Sequence, residues 1–153
     1  MEKYLGDRLG FRSVVIRLRN QLGYSVFDES WAARMAIGRG KVLFGLDYID
    51  SYLGKNFVGE AVVRHNALRL RSVQDSLARH GVQLVFVIAP SKATFMLENL
   101  PRFAHRSPGA RTNYAAYVDA FEAAGVHVLD FSRALRQWRP TAAHPLFTNG
   151  GVH

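Results

Sequence analysis

The chain of 153 residues contains no cysteine. Disulfides and cysteine-based zinc sites are therefore excluded, but the compartment is left open, because periplasmic proteins also commonly lack cysteine. No apolar run approaches the roughly 20 residues that a membrane-spanning helix needs. The opening stretch MEKYLGDRLGFR has charges and glycines where a secretory leader has its apolar centre. Acidic residues are few: 12 Asp+Glu stand against 20 Lys+Arg, a formal charge of +8. There is no low-complexity tract and no dense block of charge. With 48% hydrophobic and 21% charged residues, the composition is that of a globular domain, not of a disordered tail or a collagen-like repeat. The length suits one domain or a piece of a larger one.

A basic surface attracts polyanions such as nucleic acid, anionic lipid or acidic polysaccharide. Sixteen of the 20 cations are Arg and are spread along the chain, which equally suits solvated basic faces. No helix-turn-helix, RNP or finger motif accompanies the charge, so a nucleic-acid partner is not expected.

Periodicity sets the expected elements. Phe11, Val15, Leu18 and Leu22 share a helical face, with a firm helix only from about Gly10, since Gly6 and Gly10 weaken what precedes. Two short apolar runs flank Gly38-Arg39-Gly40, which predicts a glycine-turned hairpin over residues 35–45. Tyr48, Ile49, Tyr52 and Leu53 form an apolar patch closed by Gly54. Residues 58–80 predict a long helix with Val63, Ala67, Leu70 and Leu77 on one face and Gly81 at its end. VQLVFVIA, residues 82–89, is apolar at consecutive positions, the pattern of a parallel strand covered on both faces.

The unit then recurs. Thr112 caps a second expected helix with Tyr114, Tyr117, Val118 and Phe121 on one face, Gly125 ends it, and residues 126–130 form the next strand. Residues 98–111 read as a surface loop, 131–138 as a short helix, and 145–147 as the start of a third strand. Two successive helix–Gly–strand units imply βαβ wiring. The division expected is a helix-and-hairpin lead-in over 1–57 and βα units over 58–153. Three strands and an ending at Thr-Asn-Gly-Gly-Val-His lead to the expectation of a fragment with strands missing downstream.

In open α/β sheets ligands bind beyond the carboxyl ends of the strands. Pro90-Ser91-Lys92, Asp130 and the stretch from Asn149 to His153 fall there. Ser91 suits a helix or turn cap, and no G-x-S-x-G elbow surrounds it. Lys92 is either a surface cation or an anion clamp. Asp130 is placed to N-cap the helix at 131–138. His65, His80, His105, His127 and His144 have no metal-ligand spacing. His153 is set apart only by following a Gly-Gly turn.

Three blocks carry a family likeness: EKYLGDRLGFRSVVIRLRNQL (2–22), IGRGKVLFGLDYIDSYLG (37–54) and LVFVIAPSKATFMLENLP (84–101). In this order they resemble the SGNH-hydrolase-like domain of bacterial polysaccharide O-acetyltransferases, the AlgX/AlgJ type of alginate biosynthesis. The resemblance implies a parallel-sheet, three-layer α/β fold of the SGNH-hydrolase kind, incomplete at the C-terminus. PLFTNGGVH, residues 145–153, is similar to the approach to the family's Asp-x-His-Trp motif. His153 would then be the catalytic base, with a serine nucleophile further downstream. Gly151 sits where the family has Asp, and Ser91 replaces an Asn.

The chemistry the likeness implies is acetyl transfer to an exopolysaccharide in the periplasm, with no metal or organic cofactor needed. A membrane-bound O-acyltransferase would act as acetyl donor, and a signal or anchor would lie outside the chain. Asp130 is the in-chain candidate to orient His153 in place of the missing Asp, and Ser91 and Lys92 are candidates for substrate contact. The fragment alone is expected to be inactive. A rival reading is a non-enzymatic, basic carbohydrate-binding relative that has lost the carboxylate, which Gly151 favours.

Overall fold

The computed structural model describes residues 11–27 and 34–150. Gly6, Gly151 and His153, with the expectations attached to them, lie outside the described residues. Helix α1, Arg12–Leu22, runs into a π turn at Gly23–Phe27. Its start agrees with the expected onset near Gly10. Its apolar stripe of Phe11, Val15, Leu18 and Leu22 is exposed.

Strands β1, Met35–Ile37, and β2, Leu43–Gly45, form the expected antiparallel hairpin, with Ala36 opposite Phe44. The apolar patch after it is helix α2, Leu46–Leu53, ended by Gly54 in the left-handed region. Together they build one core of Ala36, Val42, Phe44 and Ile49, joined by Ala93, Leu100 and Ala104. Leu100 and Ala104 thus pin the 98–111 stretch to the core, where the sequence predicted a surface loop.

Helix α3, Glu60–Arg79, and helix α5, Asn113–Ala124, are the two long helices expected, and they pack on each other. Thr112 caps α5, its hydroxyl accepting the Ala115 amide at 3.2 Å. Gly125 ends it at φ 66°, a conformation that costs an L side chain energy. The buried Gln74 of α3 then fixes the turn into the next strand. Its Nε2 donates to the Gly125 carbonyl at 3.2 Å and its Oε1 accepts the His127 amide at 2.7 Å.

Strand β3, Phe86–Ile88, pairs in parallel with β4, Val128–Asp130, with Val87 opposite Leu129. The predicted parallel neighbours are therefore present, each shorter than the apolar run that encodes it. Phe86 and Ile88 face α3 and α5, where Phe86 meets the Phe121 ring edge-on at 5.1 Å. On the other face Val87 and Leu129 are 48% and 45% exposed. The expectation of cover on both faces is corrected here: among the described residues a helical layer covers one face of this pair.

Helix α4, Lys92–Phe95, follows β3, and helix α6, Phe131–Trp138, follows β4 as expected. Residues 145–147 do not form the predicted third strand. Pro145 has no amide proton to give to a ladder. The segment is held instead by the Phe147 ring against Phe95 at 4.9 Å and by the Asn149 carbonyl, which accepts the Leu43 amide at 3.0 Å.

Candidate functional site

A groove of about 680 Å³ opens along residues 86–91, from β3 past its carboxyl end. That volume is in the range of small-ligand sites. Tyr48 and Tyr52 of α2 line one side, and Tyr114, Tyr117 and Phe121 of α5 line another. Among the described lining residues, the charged ones are Arg106 and Arg136, both cationic. Arg106 lies over the Tyr52 ring at 5.9 Å from its centroid. The combination of flat aromatic faces, amide and hydroxyl groups and fixed cations suits a polar, ring-shaped ligand bearing negative charge.

Ser91 lines this groove, and its hydroxyl caps α4. Oγ accepts the Thr94 amide at 3.3 Å, while the Thr94 hydroxyl donates to the Ser91 carbonyl at 2.8 Å. The capping expectation for Ser91 is met.

Lys92 departs from the sequence expectation. It is neither a surface cation nor a residue of the groove lining: it is 1% exposed. Its Nζ donates to the Leu43 carbonyl at 3.2 Å. Burial lowers the pKa of its ammonium below the ordinary lysine value. The reason is local. Lys92 and Ala93 open a helix of one turn that folds back over the hairpin core, so the four-carbon stem is buried with Ala93 and Phe95.

Asp130 ends β4 and does cap α6, Oδ1 accepting the Arg133 amide at 3.2 Å. Its other oxygen, Oδ2, accepts the Tyr114 hydroxyl at 2.7 Å. The Tyr114 hydroxyl in turn accepts from Arg136 at 3.4 Å. Burial, and then the bond to Asp130, raise the pKa of the Tyr114 hydroxyl above the ordinary tyrosine value. Sequence reasoning put Tyr114 on an apolar helix face and missed this polar end. The available signal was its place just inside the Thr112 cap, at the helix end that faces the strand carboxyl edge. Arg136, two turns into α6 from Asp130, carried no such signal. Among the described residues no group of three or more His, Asp or Glu could hold a metal ion.

A parallel pair with helices on one face, and a polar network where β4 ends beside an aromatic groove, is the layout of an α/β domain that binds at its strand carboxyl edge. Residues 48–150 match the family described as SGNH hydrolase-like domain, acetyltransferase AlgX. The chain belongs to this family. It is also similar to the solved O-acetyltransferase domain of Pseudomonas putida AlgJ, at 26% identity and a TM-score of 0.53, covering 71% of this chain and 37% of that one. The chain thus spans a little over a third of the AlgJ domain's length. No curated protein matches the chain. The SGNH-like fold class expected from the three sequence blocks is correct.

Proposed function

We propose that the chain is the N-terminal part of a periplasmic O-acetyltransferase or esterase-like protein that acetylates an exopolysaccharide. The observation that carries the reading is the family match over residues 48–150, which include the whole aromatic groove. In this reading the two parts of the sequence, 1–57 and 58–153, belong to one domain. The groove receives a sugar, with tyrosine faces against its ring and Arg106 and Arg136 beside its charged groups.

The chemistry follows from what a histidine at position 153 can do. Its imidazole takes the proton of a serine hydroxyl supplied by the rest of the domain. The serine oxygen attacks the acetyl carbonyl, the donor's leaving group departs with that proton, and an acetyl-serine ester remains. A sugar hydroxyl then gives its proton to the imidazole and attacks the ester. The acetylated sugar leaves and the serine recovers its proton. The acetyl donor is a membrane-bound O-acyltransferase. Among the described residues no helix is long and apolar enough to cross a membrane.

The first test is turnover of an activated acetyl ester by the complete protein, before and after His153→Ala. Loss of turnover supports the mechanism, and an unchanged rate refutes it. The 153-residue chain on its own is expected to show no turnover, because the serine that His153 would activate comes later in this family's motif order. Turnover by the chain that His153→Ala abolishes would overturn that expectation.

A second reading is a carbohydrate-binding relative without catalysis. It is favoured by Gly151, where the family has Asp, together with a groove whose tyrosines and arginines suffice for binding. Titration with an acidic polysaccharide separates the two: saturable binding lost on Arg106→Ala, with no ester turnover in the complete protein, would establish it.

A further inference from the structure

The sequence offered Lys92 as a surface cation or as a candidate for substrate contact, and the structure buries it outside the groove lining. A buried ammonium needs another account, because burying a cation costs free energy that its contacts must offset. The account lies at Leu43. Gly38 donates to Val42 O at 2.8 Å, and Ala36 stands opposite Phe44, so the backbone of Leu43 faces away from β1. On that outer edge its amide donates to Asn149 O at 3.0 Å, and its carbonyl accepts from Lys92 Nζ at 3.2 Å. Two residues along from Asn149, the Phe147 ring rests on Phe95, the last residue of the helical turn that Lys92 begins.

We propose that Lys92 is a positioning residue for the segment that leads to His153. Its ammonium, delivered from the carboxyl end of β3, clamps the outer edge of β2, and that edge holds the backbone of Asn149. One lysine thereby ties three stretches far apart in sequence: the glycine hairpin, the turn after β3 and the approach to the proposed base. The catalytic part of this inference rests on the acyl-transfer reading, while the clamp itself does not. A neutral side chain of the same length would fill the space but leave the Leu43 carbonyl without this charged donor, and charge-assisted bonds are the stronger ones.

The test reads the clamp directly in the 153-residue chain by amide hydrogen exchange. Two amides are compared: Leu43, which bonds Asn149, and Phe86, which bonds His127 O at 2.8 Å in the β3–β4 pair. In Lys92→Met the protection of Leu43 is expected to fall by about tenfold or more relative to that of Phe86. Lys92→Arg, which keeps a cationic donor, is expected to recover most of it. Equal losses at both amides would make Lys92 an ordinary core residue and overturn the proposal, as would an unchanged Leu43.

Should Lys92→Met not fold, the wild-type chain decides. The Lys92 ammonium protons must exchange slowly with water and give cross-relaxation to the Leu43–Phe44 backbone, and a rapidly exchanging ammonium overturns the clamp. None of these readouts needs catalysis. Absent ester turnover in the complete protein, with an intact clamp in the 153-residue chain, would therefore count against the acyl-transfer reading alone.

Discussion

Tyr114 donates its hydroxyl proton to Asp130 Oδ2 at 2.7 Å, and so joins the first turn of α5 to the carboxyl end of β4. The same carboxylate caps α6 through Oδ1. One side chain therefore fixes where two helices meet the strand edge, next to the groove. Tyr114→Phe removes the bond and keeps the ring. It is expected to cost about 1 kcal/mol, the usual worth of such a bond. Asp130→Ala removes the cap as well and is expected to cost about 2 kcal/mol in all. Urea unfolding of both variants checks the order. Equal losses would mean that the cap contributes nothing beyond the tyrosine bond.

Alkaline unfolding separates Lys92 from Tyr114. Burial lowers the Lys92 pKa. Between that lowered value and the ordinary lysine value, the unfolded chain holds a proton that the folded chain has released, so the lysine makes stability rise with pH. Tyr114 acts oppositely. Burial, with the Asp130 bond, raises its pKa. Above the ordinary tyrosine value the folded chain keeps a proton that the unfolded chain has lost, so the tyrosine makes stability fall with pH. In urea titrations from about pH 9 to 11, Lys92→Met should lose the rising contribution and Tyr114→Phe the falling one. A Lys92→Met curve parallel to wild type would contradict the burial account.

The turn glycines make a sharper stability prediction. A Cβ at Gly38 would stand 2.0 Å from the Asn99 carbonyl oxygen and 2.6 Å from Phe44 Cε2. Backbone cannot yield that much, so Gly38→Ala should cost about 3 kcal/mol or more. At Gly125 a Cβ would meet Arg71 Nη1 at 2.4 Å, the movable end of a side chain. Gly125→Ala should therefore cost about 2 kcal/mol, chiefly from the left-handed backbone. Adding Arg71→Ala to Gly125→Ala should cost less than the two changes taken singly, because the clash is then already gone. Strict additivity in urea unfolding would show that the Arg71 contact plays no part.

What the sequence made legible was local. Thr112, Gly125 and Asp130 punctuate their helices as their chemistry requires, and the Gly38–Gly40 turn makes its hairpin. Each of those signals acts within a few residues. The parallel pairing of β3 with β4 was legible because helix–Gly–strand occurs twice and crossovers have one hand. What was not legible depends on contacts distant in sequence. Lys92 reads as a solvated cation until the Leu43 carbonyl is brought to it from 49 residues away. Tyr114 reads as apolar until Asp130 arrives beside it. Residues 145–147 read as a strand because Leu146 and Phe147 are apolar, yet Phe147 meets the Phe95 ring and the segment pairs with no neighbouring strand among the described residues.

Asp130 also bears on catalysis. If it orients the His153 imidazole, it must do so with oxygens that each already accept one bond, from the Arg133 amide and the Tyr114 hydroxyl. A carboxylate has about four acceptor sites, so a third bond is allowed. The Tyr114 bond would then be a liability for catalysis, since a donor on Oδ2 weakens that oxygen's hold on a second proton. Two variants of the complete protein distinguish the roles. If Asp130 is the triad carboxylate, Asp130→Asn should lower acetyl-ester turnover by about 10⁴ through loss of the tautomer and imidazolium support. Tyr114→Phe, by freeing Oδ2, should then hold or raise the rate while lowering stability. If Asp130 only organises the helix ends, both variants should lower stability and leave kcat within about a few-fold of wild type. The capping geometry and the Tyr114 bond account for both carboxylate oxygens without His153. The second outcome is therefore the one expected, with the orienting group for His153 supplied from elsewhere in the domain.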